Sequence, residues 1–242
     1  MTCYVSDYEA KMTHVSARPR ILFITRLWDP AEPVVQTDSE LVRQWGEINE
    51  MRMLLVRKLR AAFPEQFIGG IQDSPFAQTQ CPDLILSEHS TWKRIYLHRM
   101  KHSEICIAST GLHQSSGWKI AEYLAAGRAI VSEPLCYEVP GPFQAGENYL
   151  TYTSADGCIE QIRTLLAHPE QILQMGQRNR AYYDEWLRPD QIVTKALELA
   201  KICCNATIEC TLCEQFYCHE LNPKGGFHDD SAIRSFLPPC RL

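Results

Sequence analysis

The chain has 242 residues, enough for one well-buried domain with tails, and its 45% hydrophobic and 22% charged residues are those of an ordinary globular protein. A formal net charge of −5 leaves no global basic field, so neither nucleic acid nor anionic lipid is an expected partner. The short cluster Arg57-Lys58…Arg60 falls within a helical pattern and reads as a solvated face.

Residues 1–18 are polar and patternless, which predicts a loose N-terminal arm, and they lack the apolar core of a secretory signal. No apolar run approaches the roughly 18 residues of a membrane span. A soluble protein of the cytoplasm, with no transmembrane segment, is therefore the expectation. After Pro19, Ile21-Leu22-Phe23-Ile24 is a continuous apolar run suited to a strand buried on both faces. The loop from Arg26 to Pro33 cannot enter a helix at once because of its prolines. Thr37 and Glu40 then form a predicted capping box, and Leu41, Trp45, Ile48, Leu55, Leu59 and Phe63 recur at helical spacing over 38–63.

Phe67-Ile68 is a short strand candidate before Gly69-Gly70, and Leu84-Ile85-Leu86 is a further apolar run. Thr91 to Met100 reads as a helix and Ile105–Ala108 as a second buried strand. The polar loop Ser109–Gly117 leads into a helix over Trp118–Ala126, ended by Gly127 at C′. Strands follow at Ala129–Val131 and Asn148–Tyr152, then helical patterns at 157–167, 170–187 and 190–204. Short strands alternating with longer helices predict an α/β domain, a single Rossmann-like doubly wound parallel sheet over 19–200 with C-terminal helices. A Cys-rich tail, 201–242, holds six of the eleven cysteines. Cys210-x2-Cys213-x4-Cys218-His219 lacks a second paired knuckle, so no metal site is expected there.

Ligands of such a sheet sit beyond the carboxyl ends of its strands, where the loops Thr25–Pro33 and Ser109–Gly117 emerge. In the second loop Gly111 and Gly117 permit close backbone approach, and Ser115 and Ser116 supply hydroxyls. Both serines stand before a helix N-terminus whose free N–H groups favour a phosphate. Lys119 is a cation in the first turn, unfavourable to the helix dipole unless an anion is nearby. Glu122 lies three residues on; with Ile120, Ala121, Leu124 and Ala125 as the core face, it points away from the sheet. Its bland reading is an i,i+3 ion pair with Lys119; the functional one is a receiver of ligand hydroxyls. His113 in the loop and Arg26 after the first strand complete the candidate set. Neither GxGxxG nor GxxxxGK[ST] occurs.

The segments HRMKHSEICIASTGLHQSSGWKIAEYLAAGRAIVSEPL and VPGPFQAGENYLTYTSADGCIEQIRTLLAHPEQILQMGQRNRAYYDEWLRP resemble the C-terminal half of GT-B glycosyltransferases of the group 1 type, including CgeB-like proteins. ILFITRLWDP is similar to the first strand of that half. The resemblance covers about 20–200. It implies a domain that binds a nucleotide-diphosphate sugar for glycosyl transfer and uses no cofactor beyond that donor. It further implies that Glu122 holds the ribose hydroxyls, that Arg26 meets the diphosphate, and that Gly111–Gly117 lies against sugar and phosphate. Two departures stand out. Gln114 occupies the position of a second glutamate found in many retaining members, and Asp29-Pro30-Ala31-Glu32 replaces a basic residue. Only about 20 residues precede the donor half, so the expectation is a partner: a separate acceptor-binding subunit or a homodimer, with a non-catalytic sugar-nucleotide-binding subunit as the alternative.

Overall fold

A computed structural model describes residues 4–202, and the chain divides into two units, Met1–Ile192 and Val193–Leu242. The first unit contains five parallel strands: β1 Ile21–Thr25, β2 Phe67–Ile71, β3 Ile105–Ala108, β4 Ala129–Ser132 and β5 Leu150–Thr151, in the order β2-β1-β3-β4-β5. Every residue of β1, β3 and β4 is buried, because a parallel sheet is covered on both faces and needs apolar side chains on each. Phe23, Ile105 and Val131 face one core layer, with Leu55, Leu59 and Ile162; Leu22, Cys106 and Ile130 face the other, with Met100, Tyr123 and Tyr182. The expected doubly wound sheet is the observed one.

The helices are α1 Val5–Tyr8, α2 Pro33–Gln36, α3 Ser39–Ala62, α4 Pro75–Gln80, α5 Glu88–Thr91, α6 Lys93–Lys101, α7 Trp118–Ala125, α8 Ala155–Ala167 and α9 Pro169–Tyr182, the last running into a π turn at Tyr183–Leu187. The described part of the second unit, 193–202, is helical. The cysteine-dense stretch 203–242 lies outside the described residues. Among those described, no helix is long and apolar enough to cross a membrane.

Three local expectations change, and one apolar run without an assigned element finds its place. The N-cap of α3 is Asp38, not Thr37: its carboxylate accepts from the Glu40 and Leu41 N–H groups at 2.9 and 3.2 Å. β2 continues through Gly69-Gly70, since a Cβ at Gly69 would stand 2.1 Å from the Phe23 carbonyl oxygen. Leu84-Ile85-Leu86 forms only a 3-10 turn, Pro82–Leu84, and a single bridge from Ile85 to Ile71. Residues 4–18, expected as a loose arm, carry α1, and Met12 is buried in the core; Ala10 donates its N–H to the Ala125 carbonyl at 3.2 Å.

α7 ends as its sequence requires. Gly127 adopts φ +60°; its N–H reaches the Leu124 carbonyl and that of Arg128 the Tyr123 carbonyl, both at 3.0 Å. A Cβ there would also lie 3.1 Å from the Gly176 oxygen. Gly127→Ala is expected to destabilise the fold by about 1 to 2 kcal/mol, read from the urea midpoint at unchanged m-value.

Candidate functional site

The sequence direction of the sheet reverses between β1 and β3: β2 lies on one side of β1, and all later strands lie on the other. Crevices form outside the carboxyl ends at such a switch point. Two loops open into it, Arg26–Glu32 and Ser109–Gly117. Their placement depends on α3. Asn49, 3% exposed, accepts the Trp28 N–H at 3.0 Å and donates to the Trp28 carbonyl at 2.6 Å, as a neighbouring strand would. Three residues along, Arg52 is 6% exposed and touches both loops. Its Nη1 donates to the Arg26 carbonyl at 2.9 Å, its Nε to Ser109 Oγ at 3.3 Å and its Nη2 to the Thr110 carbonyl at 3.4 Å. The guanidinium carbon stands 4.6 Å from the centre of the Trp28 ring. Burial lowers the Arg52 pKa to about 10, with the Glu133 carboxylate opposing and the Arg26 charge adding to the fall. From the other side, Glu133 accepts both the N–H and the hydroxyl of Thr110, at 2.6 and 2.7 Å.

The second loop is tight and strained. The Gly111 N–H bonds the Ser115 carbonyl at 2.9 Å, and a Cβ on Gly111 would lie 2.8 Å from Ser115 Oγ. His113 and Gln114 both adopt the left-handed region, φ +53° and +58°, a conformation costly for non-glycine residues. They are pinned by neighbours. Gln44 accepts the His113 N–H at 3.0 Å, Tyr137 donates to the His113 carbonyl at 2.9 Å, and Cys136 Sγ lies 2.5 Å from Gln114 Oε1. The side chains of His113, Ser115 and Ser116 are exposed at the crevice. Gly117 is the N-cap of α7 and provides no side-chain cap, which leaves the first-turn N–H groups to other acceptors. Trp118 is 90% exposed beside a cleft of about 350 Å³ that Ser116, Gly117, Phe143 and Tyr182 also line.

Two expectations about α7 are corrected. Its buried face is Ile120, Tyr123, Leu124 and Ala125, whereas Ala121 is exposed. The hydroxyl makes the larger ring tolerable, since Tyr123 Oη reaches the Ile107 carbonyl at 3.2 Å. Nor do Lys119 and Glu122 pair with one another. Lys119 turns back to donate to the Ile24 carbonyl at the end of β1, 5.7 Å from the Phe23 ring centre. Loss of solvent lowers its pKa to about 7, helped by the positive charges of Arg52 and Arg26 and opposed by Glu122. Glu122 accepts from Lys93 Nζ and Tyr96 Oη instead, both at 2.6 Å.

Of the residues singled out in the sequence, Arg26, Lys119 and the Gly111–Gly117 loop meet at the switch point, and Glu122 stands on the α6 side of α7. Arg26 is exposed, its guanidinium 5.8 Å from the Trp28 ring centre. No ion pair among the described residues joins Arg26, Arg52 or Lys119 to a carboxylate; Glu122 pairs with Lys93. Arg26, Arg52 and, when it holds its proton, Lys119 thus gather positive charge at one crevice, with the field of Glu133 opposing it at Arg52. Asn49, Arg52, Glu133, Lys93 and Tyr96 were not foreseen. For the first two a signal existed: they share the helical stripe of Leu55, Val56 and Leu59, where a polar residue has to be satisfied indoors. Among the described residues no group of three His, Cys, Asp or Glu stands together to hold a metal ion.

The family described as glycosyl transferase-like matches residues 55–198. The chain belongs to that family. Its match includes the Ser109–Gly117 loop, Lys119, Glu122 and Glu133, while Arg26, Asn49 and Arg52 precede it and join the site through the sheet. Among solved structures, the chain is similar to the C-terminal domain of a glycosyl transferase group 1 family protein (LpcC) from Francisella tularensis, at 10% identity over 76% of this chain and 97% of that one, with a TM-score of 0.48. It is similar to TarM at 14% identity over 79% and 37%, TM-score 0.49, and to sucrose-phosphate synthase from Thermosynechococcus elongatus at 11% over 84% and 51%, TM-score 0.48. The chain spans about half or less of the length of these last two. No curated protein matches it in sequence.

In this glycosyl transferase-like chain the folded Lys119 holds its proton less tightly than an unfolded lysine, about 7 against an ordinary 10.5. The unfolded state therefore carries the extra proton between those values, and stability rises with pH across that window. Below it the cost of the buried charge is complete. The buried thiols Cys81, Cys106 and Cys158, raised by loss of solvent, act in the opposite sense near pH 9 in both proteins, so the difference in urea midpoint between the wild type and Lys119→Met from pH 6.5 to 10 should move in favour of the wild type as pH rises.

Proposed function

We propose that the chain is the donor-binding half of a GT-B glycosyltransferase and holds a nucleotide-diphosphate sugar over the carboxyl ends of β1 and β3. The observation that carries this reading is the set of three cations, Arg26, Arg52 and Lys119, without a carboxylate in contact, beside the α7 N-terminus that lacks a side-chain cap. An anion with two phosphoryl groups fits that excess of positive charge. In this reading Arg26 and the first-turn N–H groups of α7 meet the diphosphate, and Lys119 and Arg52 add their fields from below. Glu122 takes the ribose hydroxyls with the lone pairs that Lys93 and Tyr96 leave free. His113, Ser115 and Ser116 border the sugar.

The chemistry these groups supply is stabilisation of the diphosphate as it leaves the anomeric carbon, by charges and N–H groups already in place. The acceptor and any base that deprotonates it are assigned to a separate acceptor-binding subunit or a second copy of the chain. Gln114 favours this division of labour: an amide stands where many retaining relatives of the resemblance carry a carboxylate, and its oxygen is engaged by Cys136. The CgeB-like subtype and hexosyl transfer are finer parts of the same proposal.

Calorimetry with UDP, GDP and their common hexose conjugates tests the reading. Saturable binding of at least one is expected, weakened about tenfold in Glu122→Ala through loss of a charge-assisted hydrogen-bond pair. A panel with no binder, or undiminished affinity in Glu122→Ala, would overturn it.

A further inference from the structure

Arginines buried to the same degree occur at both ends of the sheet. Arg128, 4% exposed, donates to the Ala126 carbonyl at 2.6 Å and to the Lys101 carbonyl at 3.1 Å. These are the C-terminal ends of α7 and α6, where helix dipoles welcome a cation. Arg52 meets no helix C-terminus. Its three acceptors are two loop carbonyls and a hydroxyl, its stacking partner is Trp28 of the first loop, and the field of the Glu133 carboxylate offsets its charge while that of Arg26 adds to it. A single side chain is therefore bonded to both site loops, and it carries its charge to the carboxyl ends of the strands.

The loops have further ties, but among the described residues no other side chain is hydrogen-bonded to both. Asn49 holds Trp28 alone, and Glu133 holds Thr110 alone. Thr110 is gripped on both sides, its carbonyl by Arg52 and its N–H by Glu133, so the base of the Ser109–Gly117 loop is fixed in orientation as well as in place. At 6% exposure Arg52 is covered by the groups it bonds and acts through them.

We propose that Arg52 is the positioning residue of the anion site, tying the Arg26 loop to the Ser109–Gly117 loop and placing a buried positive charge beneath the diphosphate. The proposal rests on the donor-binding reading for its ligand, and on loop geometry for its mechanism. The two parts are tested separately, in the full chain, with Arg52→Met, Arg52→Lys and Arg128→Met as variants. Arg128→Met is the control for loss of a buried arginine as such.

Amide hydrogen exchange in the ligand-free protein reads the tie. Arg52→Met should speed exchange in both loops, around 26–28 and 109–112, at a denaturant concentration where the fold is intact; Arg128→Met should not. Calorimetry with UDP and GDP reads the charge. Arg52→Met should weaken the diphosphate that binds by about tenfold, while uridine or guanosine changes less than about twofold. Arg52→Lys keeps the charge without the fork and should stay within about threefold of wild type for the diphosphate, with only partly restored loop protection. If Arg52→Met does not fold, the lysine variant decides through the same two readouts, and loops as protected as in the wild type overturn the tie. Equal losses for nucleoside and nucleoside diphosphate, or an Arg128→Met effect as large as that of Arg52→Met, overturn the positioning role. A wild-type chain that binds neither diphosphate removes the donor reading and with it the role of the charge. The exchange result then still decides whether Arg52 ties the loops.

Discussion

A guanidinium taken out of water has to find acceptors, and among the described residues Arg52 finds them in the two loops that end β1 and β3. Moving an ion of this kind into a protein interior costs several kcal/mol, so whatever replaces water around it is held firmly. The dependence runs in both directions. The loops satisfy the charge, and the charge gives the loops an order that their own short-range contacts would not supply. α3 can impose this because its next turns are locked: Leu55, Val56 and Leu59 are wholly buried against the sheet. A rigid helix thus carries a polar end into a region of irregular backbone, and the crevice inherits the rigidity of the core.

The strain in the Ser109–Gly117 loop belongs to the same scheme. Left-handed conformations at His113 and Gln114 are each unfavourable by roughly 1 to 3 kcal/mol, and such residues persist only where their surroundings over-determine them. Here the surroundings are two separate elements. Gln44 approaches from α3, and the segment after β4 supplies Tyr137, Cys136 and Glu133, the last gripping the loop at its base. The outcome is a loop whose side chains at 113, 115 and 116 are displayed to solvent while its backbone is held. This arrangement suits recognition by N–H groups better than recognition by mobile side chains.

Much of this was legible beforehand. Unbroken apolar runs fixed β1, β3 and β4, and Gly127 marked the end of α7, because burial on both faces and positive φ leave few residue choices. The loops at the carboxyl ends followed from the topology. The sequence was silent wherever one side chain chose between partners at similar spacing. Lys119 and Glu122 sit three apart and read as a pair, yet tertiary structure offers each something better: a strand-end carbonyl to the lysine, and Lys93 with Tyr96 to the glutamate. Local pairs of this kind are worth only a few tenths of a kcal/mol, so a single strong long-range contact overrides them. Asn49 and Arg52 were missed for the opposite reason. A period-3.6 pattern is read from its apolar members, and polar residues on the buried stripe are passed over as noise, although their burial demands a partner.

The two ends of the sheet show how the same chemistry can either close a structure or leave it receptive. At the amino ends of the strands, Arg128 meets helix C-termini, and Asn179 donates to the Arg128 and Asn148 carbonyls at 2.8 and 2.9 Å. Negative helix ends neutralise the cation there, and the buried amides satisfy one another, so that end is complete as it stands. At the carboxyl ends, the nearest helix terminus is the positive one of α7, and Arg26, Arg52 and Lys119 add three charges of the same sign. Gathering like charges around an uncapped helix N-terminus is unfavourable in itself, and the fields of Glu133 and Glu122 offset it only in part. This asymmetry between two otherwise similar polar layers is what the proposed donor site would use: an added anion relieves the carboxyl edge, whereas the amino edge has nothing left to relieve.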